Sequence, residues 1–230
     1  MSTAEQYFQA SFENATILMN AREELSNGRS VDHGERRAFT MSALLWIVTA
    51  WETYVEERAV ELATELADKA TIFQDLPPLL QTSLCQFVQT STNHLAAGWL
   101  SGDGWQDVVI EHAMRRAGVH DTDSSAYPGA QTFGHFNTPD ASKIDNLFKT
   151  ACGLENLSSQ WSWQKRRPAD AAADLKSLIN VRGKIAHGDT PDGINRNWIN
   201  TYSNLVSRLV EKTEIAANEH LLMHQTRHVE

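Results

Sequence analysis

Two residues five positions apart, Arg182 and His187, are the side chains of this sequence best suited to chemistry. An arginine stays charged, and its planar guanidinium can hold a phosphate through two parallel hydrogen bonds. A histidine can donate or accept a proton near neutral pH. Together with the basic residues around them, the two side chains could break a phosphodiester bond. The alternative is that Arg182 is a solvated or ion-paired helix residue and that His187 only ends a helix.

The segment that carries this pair is predicted to be a helix that opens at Pro168 and stops at Gly188. Five residues of an ideal helix turn through about 140°, so Arg182 and His187 would not share one face. A positive charge is favoured at a helix C-terminus, which suits a protonated His187. Gly183, inside the helix, costs about 1 kcal/mol relative to alanine. It could permit close approach of another backbone, such as that of a second subunit, or be a local irregularity.

The charge of the chain is unevenly distributed around this helix. The total is −9, which argues against a general nucleic-acid-binding protein. Residues 161–187 contain six basic and two acidic side chains, a local charge of +4 that could attract phosphate. Within them, Trp161 and Trp163 precede Lys165, Arg166 and Arg167. These residues could stack a base and hold a phosphate, or be core tryptophans beside a solvated turn.

Hydrophobic periodicity predicts an all-α protein, because three-four spacing recurs along the chain and no sustained strand alternation is found. The apolar stretch from Leu44 to Val48 predicts a helix that crosses the core. Little periodicity is present in 118–139, which predicts an irregular insertion. We expect one domain over 1–230, with 221–230 as a C-terminal tail. The predicted helices cover residues 4–25, 34–70, 76–100, 105–117, 140–152, 168–187 and 191–220.

The cysteines and the C-terminal histidines offer no clear metal site. Cys85 and Cys152 match no metal or redox spacing, so each is predicted to be a buried thiol in a reducing compartment. His220, His224 and His228 would form one stripe on a helix and could bind a transition metal. A solvated or frayed helix end is the preferred interpretation of the stripe. We therefore expect no metal and no cofactor.

The N-terminal part of the sequence lacks the features of a secretory signal. Residues 1–12 carry Glu5 and no basic side chain. The longest apolar run, 43–51, is far shorter than the ~20 residues that span a bilayer. These observations predict a cytoplasmic protein that does not insert into a membrane.

Three segments resemble one known family. The segment from Arg182 to Gly188, Arg-Gly-Lys-Ile-Ala-His-Gly, resembles the Arg-x4-His motif of the HEPN superfamily. Residues 42–54, which include the aromatic–Glu pair Trp51–Glu52, are similar to the long second helix of the RiboL-PSP-type branch. Residues 136–139, Phe-Asn-Thr-Pro, are similar to that branch too, as are the apolar positions that follow them. Those positions are Ile144, Leu147 and Phe148.

The resemblance implies an antiparallel helical bundle that forms a homodimer, in which two Arg-x4-His motifs face one cleft. Many relatives are metal-independent endoribonucleases of toxin–antitoxin, antiviral defence or RNA-processing systems, so RNA and an antitoxin or defence-system partner are implied. His187 would transfer protons, Arg182 would stabilise the phosphorane, and the 2′-OH of the RNA would be the nucleophile. Glu52 would orient His187 or bond Arg182, or be a structural glutamate.

The sequence departs from the family pattern at one position. Relatives often carry Asn, Asp or His directly after the motif arginine, whereas this chain has Gly183. Asn180 or Lys184 could take the place of that polar residue in contacting RNA. Since some HEPN proteins are non-catalytic, a helical module that binds RNA or a protein is the alternative function.

Overall fold

The computed structural model describes residues 1–28, 32–90, 104–119, 139–189, 191 and 193–225. Within this part of the chain the structure is helical and contains no β-sheet, which confirms the all-α prediction. Short 3₁₀ turns at Phe73–Asp75 and Leu157–Gln160 were not predicted. The α-helices are α1 (Thr3–Gly28), α2 (His33–Lys69), α3 (Pro78–Thr90), α4 (Trp105–Ala117), α5 (Ala141–Cys152), α6 (Pro168–Ala186) and α7 (Arg196–Gln225).

Some predictions fall on other residues. Three predicted segments lie partly outside the described residues: residues 91–100 of the third helix, 120–138 of the insertion and 226–230 of the tail. So do three residues of the family-like segment 136–139.

The helix ends follow from local capping chemistry. A capping box joins Asp32 to Glu35 at the start of α2. The Asp140 carboxylate accepts the backbone N–H of Lys143 at 3.0 Å and so begins α5, as predicted. At the other end of α5, Gly153 takes a left-handed conformation with φ of 72°. A Cβ at Gly153 would lie 2.6 Å from the Pro77 side chain, so glycine is required there for both reasons.

Helix α2 is the central element, because it contacts α1, α4, α5, α6 and α7. Its buried side chains include Trp51 and Tyr54, and the Trp51 ring meets Trp161 edge-on at 6.1 Å. The stretch from Leu44 to Val48 crosses the core as predicted, because Leu44, Ile47 and Val48 are fully buried, whereas Trp46 is 41% exposed. The described helices around α2 leave the side of Trp46 open.

A buried ion pair joins α2 to α7. The guanidinium of Arg58 lies 3.2 Å from the Glu214 carboxylate, and both side chains are largely buried. The same carboxylate accepts hydrogen bonds from Tyr54 at 2.9 Å and from Ser2 at 2.7 Å. Burial and the negative charge of Glu214 raise the pKa of Tyr54 well above its ordinary value, so the phenol remains a donor. The network therefore ties the N-terminus, α2 and α7 together.

Two predictions about burial are wrong. Cys85 is exposed, because it lies one position beyond Leu84 and therefore off the buried stripe of α3. Cys152 is buried as predicted, and burial raises the pKa of its thiol to about 12. The expectation of a solvated histidine stripe at the end of the last helix is wrong at His220, which is buried, while α7 continues to Gln225 with Leu222 and Met223 exposed. The His220 ring Nε2–H donates to the Cys152 carbonyl at 3.0 Å.

Candidate functional site

The C-terminal half of α6 turns Arg182 toward the body of the protein. Leu175 and Leu178 are fully buried, and Arg182 follows Leu178 by one helical turn on the same face. Its guanidinium Nη2 lies 3.6 Å from Oε2 of Glu52 on α2. The Arg182 side chain is 33% exposed and that of Glu52 is 16% exposed. Of the two contacts considered for Glu52, the structure therefore has the one with Arg182, at the edge of the core.

His187 lies on a different face of the same helix. Its side chain is exposed and makes no hydrogen bond within the described residues. A turn of about 140° over five residues separates its direction from that of Arg182. Asn180 and Lys184 are exposed at seven and three residues before it, so the three side chains follow one solvent-facing stripe.

The backbone at the end of α6 holds His187 in place. Gly188 has a φ of 87°, and its N–H donates to Ile185 at 3.0 Å. The N–H of Asp189 donates to Lys184 at 2.9 Å. These two bonds form a Schellman motif, in which His187 is the capping residue. The imidazole is thus presented to solvent from an ordered helix end and not from a loose loop.

Gly183 adjoins open space in this chain. A Cβ built on it would have no heavy atom within 4 Å, apart from its own helix backbone and chain neighbours. No other element of the described chain therefore requires a glycine at this position.

Further carboxylates follow Glu52 along α2. Glu56 follows Glu52 by one turn, and Glu57 comes next. Burial, followed by the negative charges of Glu52 and Glu57, raises the pKa of Glu56 to about 7. Glu56 was not predicted to be a site residue, although its spacing of four residues from Glu52 on a predicted helix was a visible signal.

The basic cluster Lys165, Arg166 and Arg167 lies at the opposite end of α6. The helical rise places Pro168 about 21 Å from Arg182 along the axis. Arg166 is ion-paired with Asp174, and Arg167 donates two hydrogen bonds to Asp170 at 2.9 and 3.0 Å. Lys165 is exposed, with a left-handed φ of 66°.

The tryptophans beside this cluster have separate roles. Trp161 belongs to the core and donates its indole N–H to Thr213 at 3.2 Å, so it is not available to stack a base. Trp163 is half-buried and exchanges backbone hydrogen bonds with Arg166 across a tight turn. Trp163, Lys165 and Arg166 line a groove of about 760 Å³ that continues along α7.

Like His220, His112 has structural hydrogen-bond partners. His112 is buried, its Nε2–H donates to the Thr150 carbonyl at 3.1 Å, and Ser83 lies 3.0 Å from the same nitrogen. Burial and the nearby charge of Arg116 lower the pKa of His112 to about 4, so the ring is neutral. The described residues contain no group of three or more side chains that could hold a metal ion. None of the described helices combines the length and the apolar character needed to cross a membrane.

The fold and the site define an all-helical protein in which one helix carries an ion-paired arginine and, at its end, an exposed histidine. A family model described as RiboL-PSP-HEPN matches residues 12–219. Because the match covers most of the chain, the protein belongs to the RiboL-PSP-HEPN family. No curated protein and no solved structure matches the chain significantly.

Proposed function

We propose that this protein is a metal-independent endoribonuclease of HEPN type. The single observation that carries the proposal is the arrangement of Arg182 and His187 on α6, in a chain that belongs to a HEPN family. Glu52 holds the arginine at 3.6 Å, and the end of the helix presents the histidine to solvent. A fixed cation and an accessible proton-transfer group are the two elements needed for RNA transesterification.

In the proposed reaction, His187 accepts the proton of a ribose 2′-OH, and the 2′ oxygen attacks the adjacent phosphorus. Arg182 stabilises the additional negative charge of the phosphorane. The bond to the 5′ oxygen of the next nucleotide breaks, and that oxygen leaves with a proton supplied by a protonated histidine. The products are a 2′,3′-cyclic phosphate and a 5′-OH end. DNA lacks the nucleophile and is not a substrate.

A second copy of the chain completes the site in this proposal. Within one chain the two side chains leave α6 in directions about 140° apart, so one protomer alone does not direct both at one phosphate. In a homodimer, Arg182 of one copy and His187 of the other could meet in a shared cleft. The exposed stripe with Asn180 and Lys184 would then contact the RNA backbone, while Lys165, Arg166 and Arg167 would contact a more distant part of the strand.

End mapping of a defined RNA substrate tests the chemistry. The purified protein is incubated in EDTA with an RNA oligonucleotide and with a copy that carries a single 2′-deoxy substitution at the mapped cleavage position. We expect cyclic phosphate ends from the first and none at that position from the second. His187→Ala and Arg182→Ala should lose cleavage, whereas Lys176→Ala, on an exposed position of the same helix, should retain it. Equal cleavage by His187→Ala would refute the mechanism.

Mixing two inactive variants tests the shared cleft. If arginine and histidine are contributed by different copies, Arg182→Ala mixed with His187→Ala should recover part of the activity after subunit exchange. Recovery would be absent if each pair acts within one chain. Sedimentation over a range of concentrations measures the oligomeric state directly.

A non-catalytic binding module is the second candidate, and a specific observation favours it. Arg182 is already paired with Glu52, and Glu56 follows Glu52 by one turn of α2, so the carboxylates on this face of α2 oppose phosphate. This candidate predicts binding of RNA or a protein partner without turnover, and unchanged binding in folded His187→Ala. A role in defence or as a toxin predicts that expression arrests growth and that an antitoxin gene is adjacent.

A further inference from the structure

The groove of about 760 Å³ beside α7 has two walls, each from one continuous segment of the chain. One wall is the tight turn 163–166, which leads into α6, and the other consists of residues between Thr201 and Glu211 on α7. Ten residues of helix rise by about 15 Å, which is the length of the second wall. The volume lies within the range of small-molecule sites, about 300–1,000 Å³. This α7 groove is therefore large enough for a ligand of the size of a nucleotide.

Most of the charge that lines the α7 groove is neutralised within the chain. Arg166 is ion-paired with Asp174, and Arg208 Nη1 lies 2.5 Å from Oε2 of Glu211. Lys165 is exposed, and it is the one cation of the lining without an ion-pair partner among the described residues. The α7 groove thus offers one available ammonium group, which suits a ligand that brings a single phosphate to this point.

The backbone of Lys165 is held in a conformation that does not suit lysine. Trp163 and Arg166 exchange backbone hydrogen bonds at 3.3 and 2.8 Å, and Lys165 is the second of the two residues between them. Its φ of 66° is the left-handed conformation that a turn of this form usually gives to Gly or Asn. The turn therefore does not explain a lysine. A residue that opposes its local structure indicates a functional role, and Lys165 adds an exposed ammonium group to the groove.

The opposite wall presents uncharged hydrogen-bonding groups. Thr201, Asn204 and Ser207 follow at intervals of three residues and are exposed on one face of α7. The Asn204 amide carries both a donor and an acceptor, the combination that pairs with the edge of a nucleobase. Across the groove, Trp163 is half-buried and packs against the core, so it is a fixed aromatic surface on which a base can stack. These groups together match the base and the phosphate of one nucleotide.

We propose that the α7 groove binds one nucleotide of a single-stranded RNA, with its phosphate at Lys165, its base on Trp163 and the edge of that base at Asn204. The choice of an RNA strand over a free nucleotide rests on the proposed ribonuclease function. The groove adjoins the start of α6, about 21 Å from Arg182 along the helix axis. It therefore holds the strand at a distance from the bond that is cut.

RNA binding is measured by fluorescence anisotropy, with a labelled single-stranded RNA at several salt concentrations. All proteins carry His187→Ala, so that binding is read without cleavage. Lys165→Gly suits the left-handed backbone, so it should raise the melting temperature. It should nevertheless weaken RNA binding about tenfold and reduce the slope of log affinity against log salt by about 0.7. Lys176→Ala removes the same charge from an exposed position of α6 outside the groove and should change neither binding quantity.

Asn204→Ala and Asn218→Ala form a second matched pair. Both asparagines are exposed on α7, and of the two only Asn204 lines the groove. Both substitutions should raise the melting temperature, because alanine has the higher helix propensity. Asn204→Ala should weaken RNA binding about threefold to tenfold without changing the salt slope, whereas Asn218→Ala should leave binding unchanged.

Equal RNA affinity of either groove variant and its control would overturn the proposal and leave the groove to a partner of another class. A lower melting temperature of Lys165→Gly would also count against it, because the lysine would then belong to the fold. AMP binding, measured by calorimetry, separates the two sources of a nucleotide. AMP binding that depends on Lys165 and Asn204, with RNA binding unaffected, would assign the groove to free nucleotides and overturn the proposal.

Cleavage is measured separately on proteins that retain His187. A protein that binds RNA through the α7 groove without cutting it refutes the ribonuclease proposal alone. Cleavage by the wild type, with unchanged RNA affinity in the groove variants, refutes the groove proposal alone.

Discussion

Replacement of Gly183 by alanine should stabilise the folded chain. Gly183 is inside α6, and a methyl group placed on it would meet no atom within 4 Å. No steric cost therefore offsets the helix propensity of alanine, which exceeds that of glycine by about 1 kcal/mol. Part of this gain comes from the unfolded chain, because alanine has fewer backbone conformations to lose on folding.

For a chain of this length, 1 kcal/mol corresponds to a rise in melting temperature of about 2–4 °C. Urea unfolding and thermal melting at low protein concentration measure the change. Ala173→Gly is the matched control, since Ala173 is exposed in the same helix and the reverse substitution should lose about as much. A lower stability of Gly183→Ala under these conditions would refute the reasoning, because it would mean that the space beside Gly183 is occupied.

The same substitution reports on the proposed dimer. If the backbone of a second copy packs against Gly183, the added methyl group should weaken self-association while the dissociated chain becomes more stable. Sedimentation across a concentration series separates these two effects, because only association depends on concentration. Gly183→Asn is informative in the activity assay, since it restores the type of residue that relatives often carry after the motif arginine.

Three further substitutions test the electrostatics and the caps. Glu56→Gln should stabilise the protein above pH 7. The pKa of Glu56 in the folded protein is about 7, above the ordinary 4.5, so the wild type loses stability as the pH rises from about 4.5 through 7. The variant lacks this carboxyl group and should not show that loss. The full shift, reduced by about half for solvent screening, corresponds to about 1–2 kcal/mol. Urea titrations from pH 5 to 8 measure it, and parallel curves would exclude this role. Glu214→Gln should lower the free energy of unfolding by about 3 kcal/mol, because it leaves buried Arg58 without its closest carboxylate. Glu211→Gln, in an exposed ion pair, is the control and should lower it by less than about 1 kcal/mol in the same urea assay. Gly188→Ala should lower the free energy of unfolding by about 1–2 kcal/mol, because residue 188 has a left-handed backbone conformation. Gly188→Asn should lower it by less, since asparagine tolerates that conformation better, and equal losses would contradict the capping argument.

Local patterns in the sequence predicted most helix ends closely, although the last helix, predicted over 191–220, is observed at Arg196–Gln225. The predicted bounds of α4 agree with Trp105–Ala117, and those of α2 agree within one residue at each end. Such ends depend on caps, glycine and proline within a few positions, so they can be predicted without the fold. The short 3₁₀ turns were missed because they have too few residues to show a period.

Burial of single side chains was predicted less well, because it depends on which elements pack together. Residue type predicted that Cys85 is buried and that His220 is solvated. In the structure Cys85 is exposed and His220 is buried. Trp46 occurs in an apolar run yet faces solvent, since the neighbours of α2 cover only part of its circumference. The cavity of about 360 Å³ lined by Arg22, Arg36 and Pro191 was not predicted for the same reason: these residues are distant in sequence and meet only when three segments pack together.

The sequence by itself determined the all-α class, the position of Arg182 and His187 on one helix, and their angular separation, because all three depend on local spacing and helical geometry. The tertiary structure decided what each of them meets. Packing of α6 against α2 places Arg182 beside Glu52, while no described element covers His187, which stays exposed on the stripe with Asn180 and Lys184. These contacts depend on the packing of distant segments, which residue spacing along one helix does not specify.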